Sequence, residues 1–439
     1  MKRKAESTAD TPRIHPMFSA AKTQQSDKSV NTTVNWTVSA DKGLLIGTTH
    51  PLAPFASSKI ASFDFDGTIS LSGGSHVFSK SPDDWRFVHP SKVKARLLEL
   101  HAEGFRIVIF SNQKGLLDSK KKGQGHTMES IFKGKILAVA RELAIPMLIF
   151  AALDDLEYRK PSMGMWETFL SSHNESIEPD MKASFYVGDA AGRPERTERG
   201  VSKPIKKDHS DGDLKFALNC NLPFHVPETF FGIDMNGAAL VPEKWDFDPR
   251  SYSNGVPLFS PASTPLIPED FGPNDVEVIL FVGSPASGKT SFYKKHLMPH
   301  GYVHINQDTL RDRKKCIQAM LEALKSGKHC VVDNTNPTVS VRAEYIAAAK
   351  PHVKRIRAFY FTASEELCEH NNRVRAKWTK GKGKELQRER ISSVVLKMFR
   401  KNLEIPDGSK EVGIEEVKRI NFLAEFEDDE HKRLWSQWH

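Results

Sequence analysis

Two kinds of pattern alternate along this chain: short continuous apolar runs, and longer stretches with an apolar residue every three or four positions. A short apolar run bounded by turn residues predicts a strand buried on both faces, and the 3.6-residue spacing predicts an amphipathic helix. The alternation occurs in two separate blocks. In the first, strands are predicted over Lys59–Phe65, Arg106–Phe110, Met147–Phe150 and Ser184–Val187, with helices over Pro90–Glu103 and Met128–Leu143 between them. In the second, strands are predicted over Glu277–Val282, Tyr302–Ile305, His329–Val332 and Ile356–Phe361. Strands separated by helices form parallel sheets, so the expected fold class is α/β in two domains.

The segments outside the blocks set the expected boundaries. Phe247–Asp275 carries six prolines and few charges. Proline offers no N–H and has a fixed φ, which argues against a helix or a central strand. A Pro-rich linker is therefore placed over residues 231–275, between domains at 55–230 and 276–439. Residues 1–54 are rich in Ser, Thr, Lys and Asn with little apolar pattern, and are read as a disordered basic tail. Its Lys2-Arg3-Lys4 is either a short nuclear address or simply solvated charge.

Composition narrows the field only a little. A chain of 439 residues with 39% hydrophobic and 27% charged residues suits two globular domains. The formal charge of +8 leans toward a polyanionic partner. Cys220, Cys316, Cys330 and Cys368 form no CxxC pair, so neither a zinc site nor a disulfide framework is expected. No apolar run approaches the ~18 residues that span a bilayer, and no membrane partner is expected.

The first chemical anomaly is FDFDGT, residues 63–68, where two carboxylates close an apolar run. Alternate residues of a strand point the same way, so Asp64 and Asp66 converge at the C-terminal end of a parallel sheet, where open α/β folds bind ligands. Burying carboxylates costs several kcal/mol each unless a cation or hydrogen bonds compensate. Two carboxylates at that place suit Mg²⁺, a hard cation that prefers oxygen ligands. A plain Asp-Gly turn would explain Gly67 but not Asp64.

DxDGT is similar to the first motif of the haloacid dehalogenase superfamily of aspartyl-phosphate phosphatases, and further motifs follow in that family's order. IVIFSNQ ends near Ser111, matching the phosphate-binding Ser/Thr; YRKPSMGMW supplies Lys160, matching the cation; FYVGDAAGR supplies Asp189, matching the Mg²⁺ carboxylate. Asp213, or less well Asp208 or Asp211, is a further acidic candidate. The resemblance implies that Asp64 attacks phosphorus and that Asp66 protonates the leaving oxygen and then activates water.

The second anomaly is GSPASGKT, residues 283–290, which fits GxxxxGK[ST] between an apolar run and a predicted helix at Ser291–His296. Gly283, Ser284, Pro285, Ala286, Ser287, Gly288, Lys289 and Thr290 would then cradle the phosphates of ATP. Lys289 would reach the β and γ phosphates, and Thr290 would bind Mg²⁺. Asp308 follows the second strand as a candidate base. Arg311, one turn on, is a candidate clamp, and Asp333 follows the third strand as a candidate for Mg²⁺ or for orienting Arg311. Arg373 and Arg375 lie on a basic helical stretch read either as a lid over the phosphates or as a solvated face.

Taken together, FDFDGT, SPDDWRF, FSNQKG, YRKPSMGMW, FYVGDAAGRP and FALNCNLPF, with GSPASGKTSF, NQDTL, VVDNTNP and HNNRVR, resemble the bifunctional polynucleotide phosphatase/kinase family. That resemblance spans roughly residues 55–435. It implies a haloacid dehalogenase-like Rossmannoid phosphatase followed by a P-loop kinase. The implied enzyme is monomeric and nuclear, and uses Mg²⁺ and ATP to convert DNA 3′-phosphate and 5′-hydroxyl ends at nicks, gaps or breaks into ligatable termini, in company with repair-complex proteins. Lys114, Lys120, Lys121, Lys122, Lys377, Lys380, Lys382 and Lys384 are candidate phosphate contacts. Only about 55 residues precede the phosphatase block, too few for the phosphopeptide-binding β-sandwich of animal members. Rival readings are an RNA-end repair enzyme, a metabolite phosphatase fused to a metabolite kinase, and a scaffold with degraded sites. The phage RNA enzymes place the kinase first, the reverse of the order here.

Overall fold

The computed structural model describes residues 31–51, 55–76, 78–116, 127–197, 204, 206–233, 241–245, 247–383 and 387–439. The first unit contains β1 (Thr33–Val38), β2 (Leu44–His50), β3 (Ile60–Phe63), the small pair β4 (Ser70–Leu71) and β5 (Arg86–Phe87), then β6 (Arg106–Asn112), β7 (Met147–Ala152), β8 (Phe185–Val187) and β9 (Phe224–His225). Its helices are α1 (Pro90–Ala102), α2 (Met128–Leu143), α3 (Gly164–His173), α4 (Gly212–Asn219) and α5 (Pro227–Phe230). Seven strands form one sheet in the order β1-β2-β7-β6-β3-β8-β9. From β7 to β9 all pairings are parallel, while β1 and β2 are added antiparallel at one edge.

That edge corrects the expectation of a disordered tail over residues 1–54. Residues 33–50 form a hairpin whose second strand pairs Leu44–Thr48 with Leu148–Ala152. Leu44 and Leu45 are buried, and Trp36 packs on Phe132 of α2. The polar residues of TVNWTV lie on an edge strand, and edge strands keep one face wet, so composition understated the order there. Residues 1–30 and 52–54 of that tail, Lys2-Arg3-Lys4 included, lie outside the described residues.

The second unit contains β10 (Phe259–Ser260), β11 (Glu277–Val282), β12 (Val303–Ile305), β13 (Cys330–Val332), β14 (Arg355–Phe361) and β15 (Glu416–Ile420). Its helices are α6 (Lys289–His296), α7 (Gln307–Leu310), α8 (Arg313–Lys325), α9 (Val339–Ala349), α10 (Glu365–Trp378), α11 (Ser393–Asn402) and α12 (Asp429–Trp435). The sheet order is β10-β15-β14-β11-β13-β12, parallel except for β10. The Pro-rich stretch read as a linker is laid against this unit. Leu258, Phe259, Leu266 and Ile267 pack on the core around Phe281 and Phe359, and Phe259–Ser260 adds an edge strand where proline is tolerated.

Both sheets are sandwiched between helices, with a separate apolar cluster on each face. The two units also meet directly. Asn219 at the end of α4 donates to the carbonyls of Pro161 (2.8 Å) and Trp438 (2.9 Å) and accepts the Trp438 N–H at 2.9 Å. Lys215 lies 4.2 Å over the Trp438 ring.

Two candidate active sites

In the first unit the site sits where the chain crosses from one side of the sheet to the other, at β3 between β6 and β8. This is the crevice at which open α/β sheets bind ligands. Asp64 follows β3, and its backbone N–H donates to Val187 at 2.8 Å, which aims the carboxylate out of the strand ends. Ser111 lies within β6, and Asp189 follows β8. Gly67 has φ +89°, and a Cβ there would stand 2.5 Å from the Asp189 carboxylate. Only glycine fits both requirements.

Lys160 is buried with its Nζ among four oxygens: Asp64 Oδ1 at 2.6 Å, Asp213 Oδ1 at 2.7 Å, and the Phe110 carbonyl and Tyr186 hydroxyl at 2.8 Å. The Tyr186 hydroxyl in turn donates to Asp213 at 3.0 Å. Burial opposes the Lys160 charge, but Asp213 and Asp64 outweigh it and hold the ammonium above its ordinary range. Burial pushes Asp64 up to about 7 against the pull of Lys160, with Asp213 and Asp66 adding repulsion. Asp189 is raised by burial and by the neighbouring Asp64 and Asp213.

Two carboxylates thus share one lysine with a third beside them, and oxygens of Asp64, Asp189 and Asp213 lie within 4.8 Å of one another. An all-oxygen anionic donor set with a charge deficit fits a hard divalent cation, and folds of this kind generally use Mg²⁺. Of the acidic alternatives, only Asp213 enters this group. Asp208 braces Arg193 at 2.8 Å, and Asp211 pairs with Lys215 at 2.6 Å. The Asp66 carboxylate also lies outside the group, against its expected place as a ligand. Lys135 Nζ holds its Oδ1 at 2.6 Å, and Gln113 Nε2 holds its Oδ2 at 2.7 Å while also donating to Ser111 Oγ at 2.9 Å.

Lys135, Gln113 and Tyr186 were missed from sequence. Lys135 left a signal: it interrupts the buried stripe Ile131-Phe132-Ile136-Val139 of α2, where a lysine is out of place without a partner.

In the second unit, the loop Gly283–Thr290 runs from β11 into α6. A Cβ on Gly283 would meet Phe361 Cβ at 2.8 Å, and Gly288 takes φ +93° to begin the helix. Lys289 is buried and bonds the loop carbonyls of Gly283 (3.0 Å) and Ser284 (2.7 Å). Burial lowers its ammonium to about 8, with Asp333 opposing. Thr290 Oγ1 donates to Asp333 Oδ2 at 2.6 Å, and His304 Nε2 lies 2.9 Å from the same oxygen.

A cavity of about 860 Å³ opens over this loop, and its walls include Lys289, Thr290, Asp308, Arg311, Asp333, Arg375 and Trp378. The buried Arg375 Nε and Trp378 Nε1 have no hydrogen-bond partner among the described residues. Unpaired donors beside a glycine-rich phosphate loop suit an anionic nucleotide, and folds of this kind generally use ATP with Mg²⁺.

Arg375 is therefore brought to the cavity and Arg373 is not. Arg373 turns to Glu369 at 3.3 Å on the opposite side of α10. A helix separates residues two apart by about 200°, so one face of α10 cannot present both. Among the lysines expected at phosphates, Lys114 pairs with Asp155, Lys377 faces Glu157 at 3.9 Å across the units, and Lys382 caps the Trp378 ring at 3.4 Å. Lys380 is exposed. Lys120, Lys121, Lys122 and Lys384 lie outside the described residues.

Comparison with known proteins agrees with this two-part arrangement. Residues 59–231 match the family described as polynucleotide kinase 3 phosphatase, and residues 278–399 match an AAA domain family. The bifunctional polynucleotide phosphatase/kinase of Schizosaccharomyces pombe is 35% identical over 87% of this chain and 83% of its own length. A putative bifunctional polynucleotide phosphatase/kinase of Acanthamoeba polyphaga mimivirus is 30% identical over 87% of this chain and 89% of its own length. The polynucleotide 3′-phosphatase ZDP of Arabidopsis thaliana is 37% identical over 40% of this chain and 24% of its own length.

Proposed function

Since this chain belongs to the bifunctional polynucleotide phosphatase/kinase family, we propose that it restores ligatable termini to broken DNA in the nucleus, as a 3′-phosphatase in its first unit and an ATP-dependent 5′-hydroxyl kinase in its second. The observation that supports this reading is one cluster suited to each reaction in the same chain: Asp64 on Lys160 beside Asp189 and Asp213, and Lys289 with Thr290 on Asp333.

In the phosphatase, Asp64 attacks the 3′-phosphorus and Asp66 delivers a proton to the departing 3′-oxygen. Asp66 then takes a proton from the water that hydrolyses the aspartyl-phosphate. Lys160 opposes the effect of burial on Asp64 and orients its carboxylate, and Ser111 donates to a phosphate oxygen. Asp64, Asp189 and Asp213 would hold Mg²⁺, which would supply charge neutralisation for the phosphoryl group. In the kinase, Lys289 and the loop amides bind the β and γ phosphates, Thr290 and Asp333 would hold the cation that neutralises them, and Arg375 adds positive charge to the cavity. Asp308 accepts the proton of the attacking 5′-hydroxyl, and Arg311 meets the acceptor phosphate.

The test is a nicked duplex bearing a 3′-phosphate and a 5′-hydroxyl, incubated with ATP and Mg²⁺. Asp64→Asn is expected to abolish only 3′ processing and Lys289→Ala only 5′ phosphorylation, each by ~10³-fold or more. Turnover of the matching nicked RNA but not of the DNA would move the substrate to RNA ends.

A further inference from the structure

Lys135 is out of place on any reading of α2 as a packing helix. It stands in the helix's apolar stripe, 6% exposed, with its Nζ 5.2 Å from the centre of the Phe65 ring. A lysine so placed sacrifices hydration, and besides the Phe65 ring face the return is one hydrogen bond among the described residues, the 2.6 Å ion pair with Asp66 Oδ1. Gln113, from the turn after β6, takes the other oxygen at 2.7 Å. Asp66 itself is exposed toward the crevice. Its carboxylate is thus gripped from behind by two donors on separate elements, with its front left to the substrate.

We propose that Lys135, assisted by Gln113, is a positioning residue that fixes the Asp66 carboxyl for proton transfer to the leaving 3′-oxygen. The inference rests on the reading of Asp66 as the general acid. In that step a bond forms between an Asp64 oxygen and phosphorus, the P–O3′ bond breaks, and the Asp66 proton goes to the electron pair left on O3′. Negative charge appears on Asp66 as the proton leaves, within reach of the Lys135 ammonium. A fixed cation aimed at developing charge lowers the barrier more than it stabilises the ground state. A freely rotating Asp66 would lose both the geometry and that charge contact.

The experiment compares two substrates that bind alike and differ only in their need for a proton. One is a 3′-phosphorylated oligonucleotide; the other carries sulfur at the bridging 3′ position, so that a thiolate leaves without protonation. Values of kcat/KM, which report the first irreversible step, are measured for wild type, Lys135→Met, Lys135→Gln, Lys135→Arg and Asp66→Asn. Lys135→Met and Lys135→Gln are expected to lose ~10- to 100-fold on the oxygen substrate and less than about threefold on the sulfur substrate, with Lys135→Arg recovering most of the loss. The retained sulfur activity shows that the variants fold.

Equal losses on both substrates would make Lys135 a phosphate clamp or a structural staple and overturn the proposal, as would no loss on oxygen. Asp66→Asn separates the premises. If it is selective for oxygen and Lys135→Met is not, only the positioning role falls. If it cuts both substrates alike, the acid role of Asp66 falls, and the positioning role with it.

Discussion

Gly67 shows how closely individual side chains are matched to this first site. Its φ of +89° and the Asp189 carboxylate 2.5 Å from the position of a Cβ leave no room for alanine. Gly67→Ala is expected to cost about 1–2 kcal/mol for the left-handed backbone alone, read as a lowered midpoint in urea unfolding. It should also raise the Mg²⁺ concentration for half-maximal phosphatase activity, because Asp189 must move. Lys289 makes a matching case in the second site. Burial lowers its ammonium to about 8, and phosphates bind the charged form. ATP affinity should therefore be full below that pH and fall as pH rises through it, by up to about tenfold per unit. Titration with a fluorescent nucleotide from about pH 7 to about pH 9.5 measures this; a flat profile would mean that the lysine charge does not bind phosphate.

Neighbouring strands of the second sheet are tied by a buried polar network. Glu277 on β11 receives both arms of the Arg357 guanidinium on β14, at 2.8 and 2.6 Å, and the Tyr302 hydroxyl at 2.5 Å. Glu277 and Arg357 are both essentially inaccessible. Removing Glu277 leaves the buried Arg357 only the 3.4 Å contact with Glu416 and the Pro265 and Leu266 carbonyls, so Glu277→Ala is expected to destabilise by about 3 kcal/mol. The double replacement of Glu277 and Arg357 by methionine should cost far less, which calorimetry of wild type and the two variants would reveal. The strands themselves were legible: the predicted runs at Lys59–Phe65, Arg106–Phe110 and Glu277–Val282 all fall on observed strands, because continuous apolarity is what a twice-covered parallel sheet demands. The edges were not. β1 carries polar residues and is ordered through its hairpin with β2, which itself pairs with Leu148–Ala152, while the two-residue β10 pairs with Arg419–Ile420; both partners are far away in sequence.

Across the whole molecule, the two units share a joint near the phosphatase lysine. Asn219 links the Pro161 carbonyl, directly after Lys160, to the backbone of Trp438, and Lys377 of α10 faces Glu157. Asn219→Ala orphans buried backbone groups on both sides, at about 1–3 kcal/mol for each group left unpaired. Phosphatase kcat is expected to fall severalfold while kinase turnover at saturating ATP holds, and parallel assays of the two activities on one preparation would check this. A fall in kinase turnover of equal size would mean that the joint supports both sites alike.

The sequence by itself determined the chemistry that local order encodes. Asp64, Asp66 and Gly67 sit within one turn of chain, and Gly283 to Thr290 form a single loop, so neighbours along the chain are neighbours in each candidate site. Tertiary structure alone decided what depends on elements meeting. It chose Asp213 over Asp208 and Asp211 as the third carboxylate, turned Arg375 toward the cavity over the glycine-rich loop and Arg373 away, and brought Lys135 from the middle of α2 onto Asp66. A residue's type and spacing say what it is able to do. Which group it does it to is settled by which helix faces cover the strand ends, and that is a property of packing between distant segments.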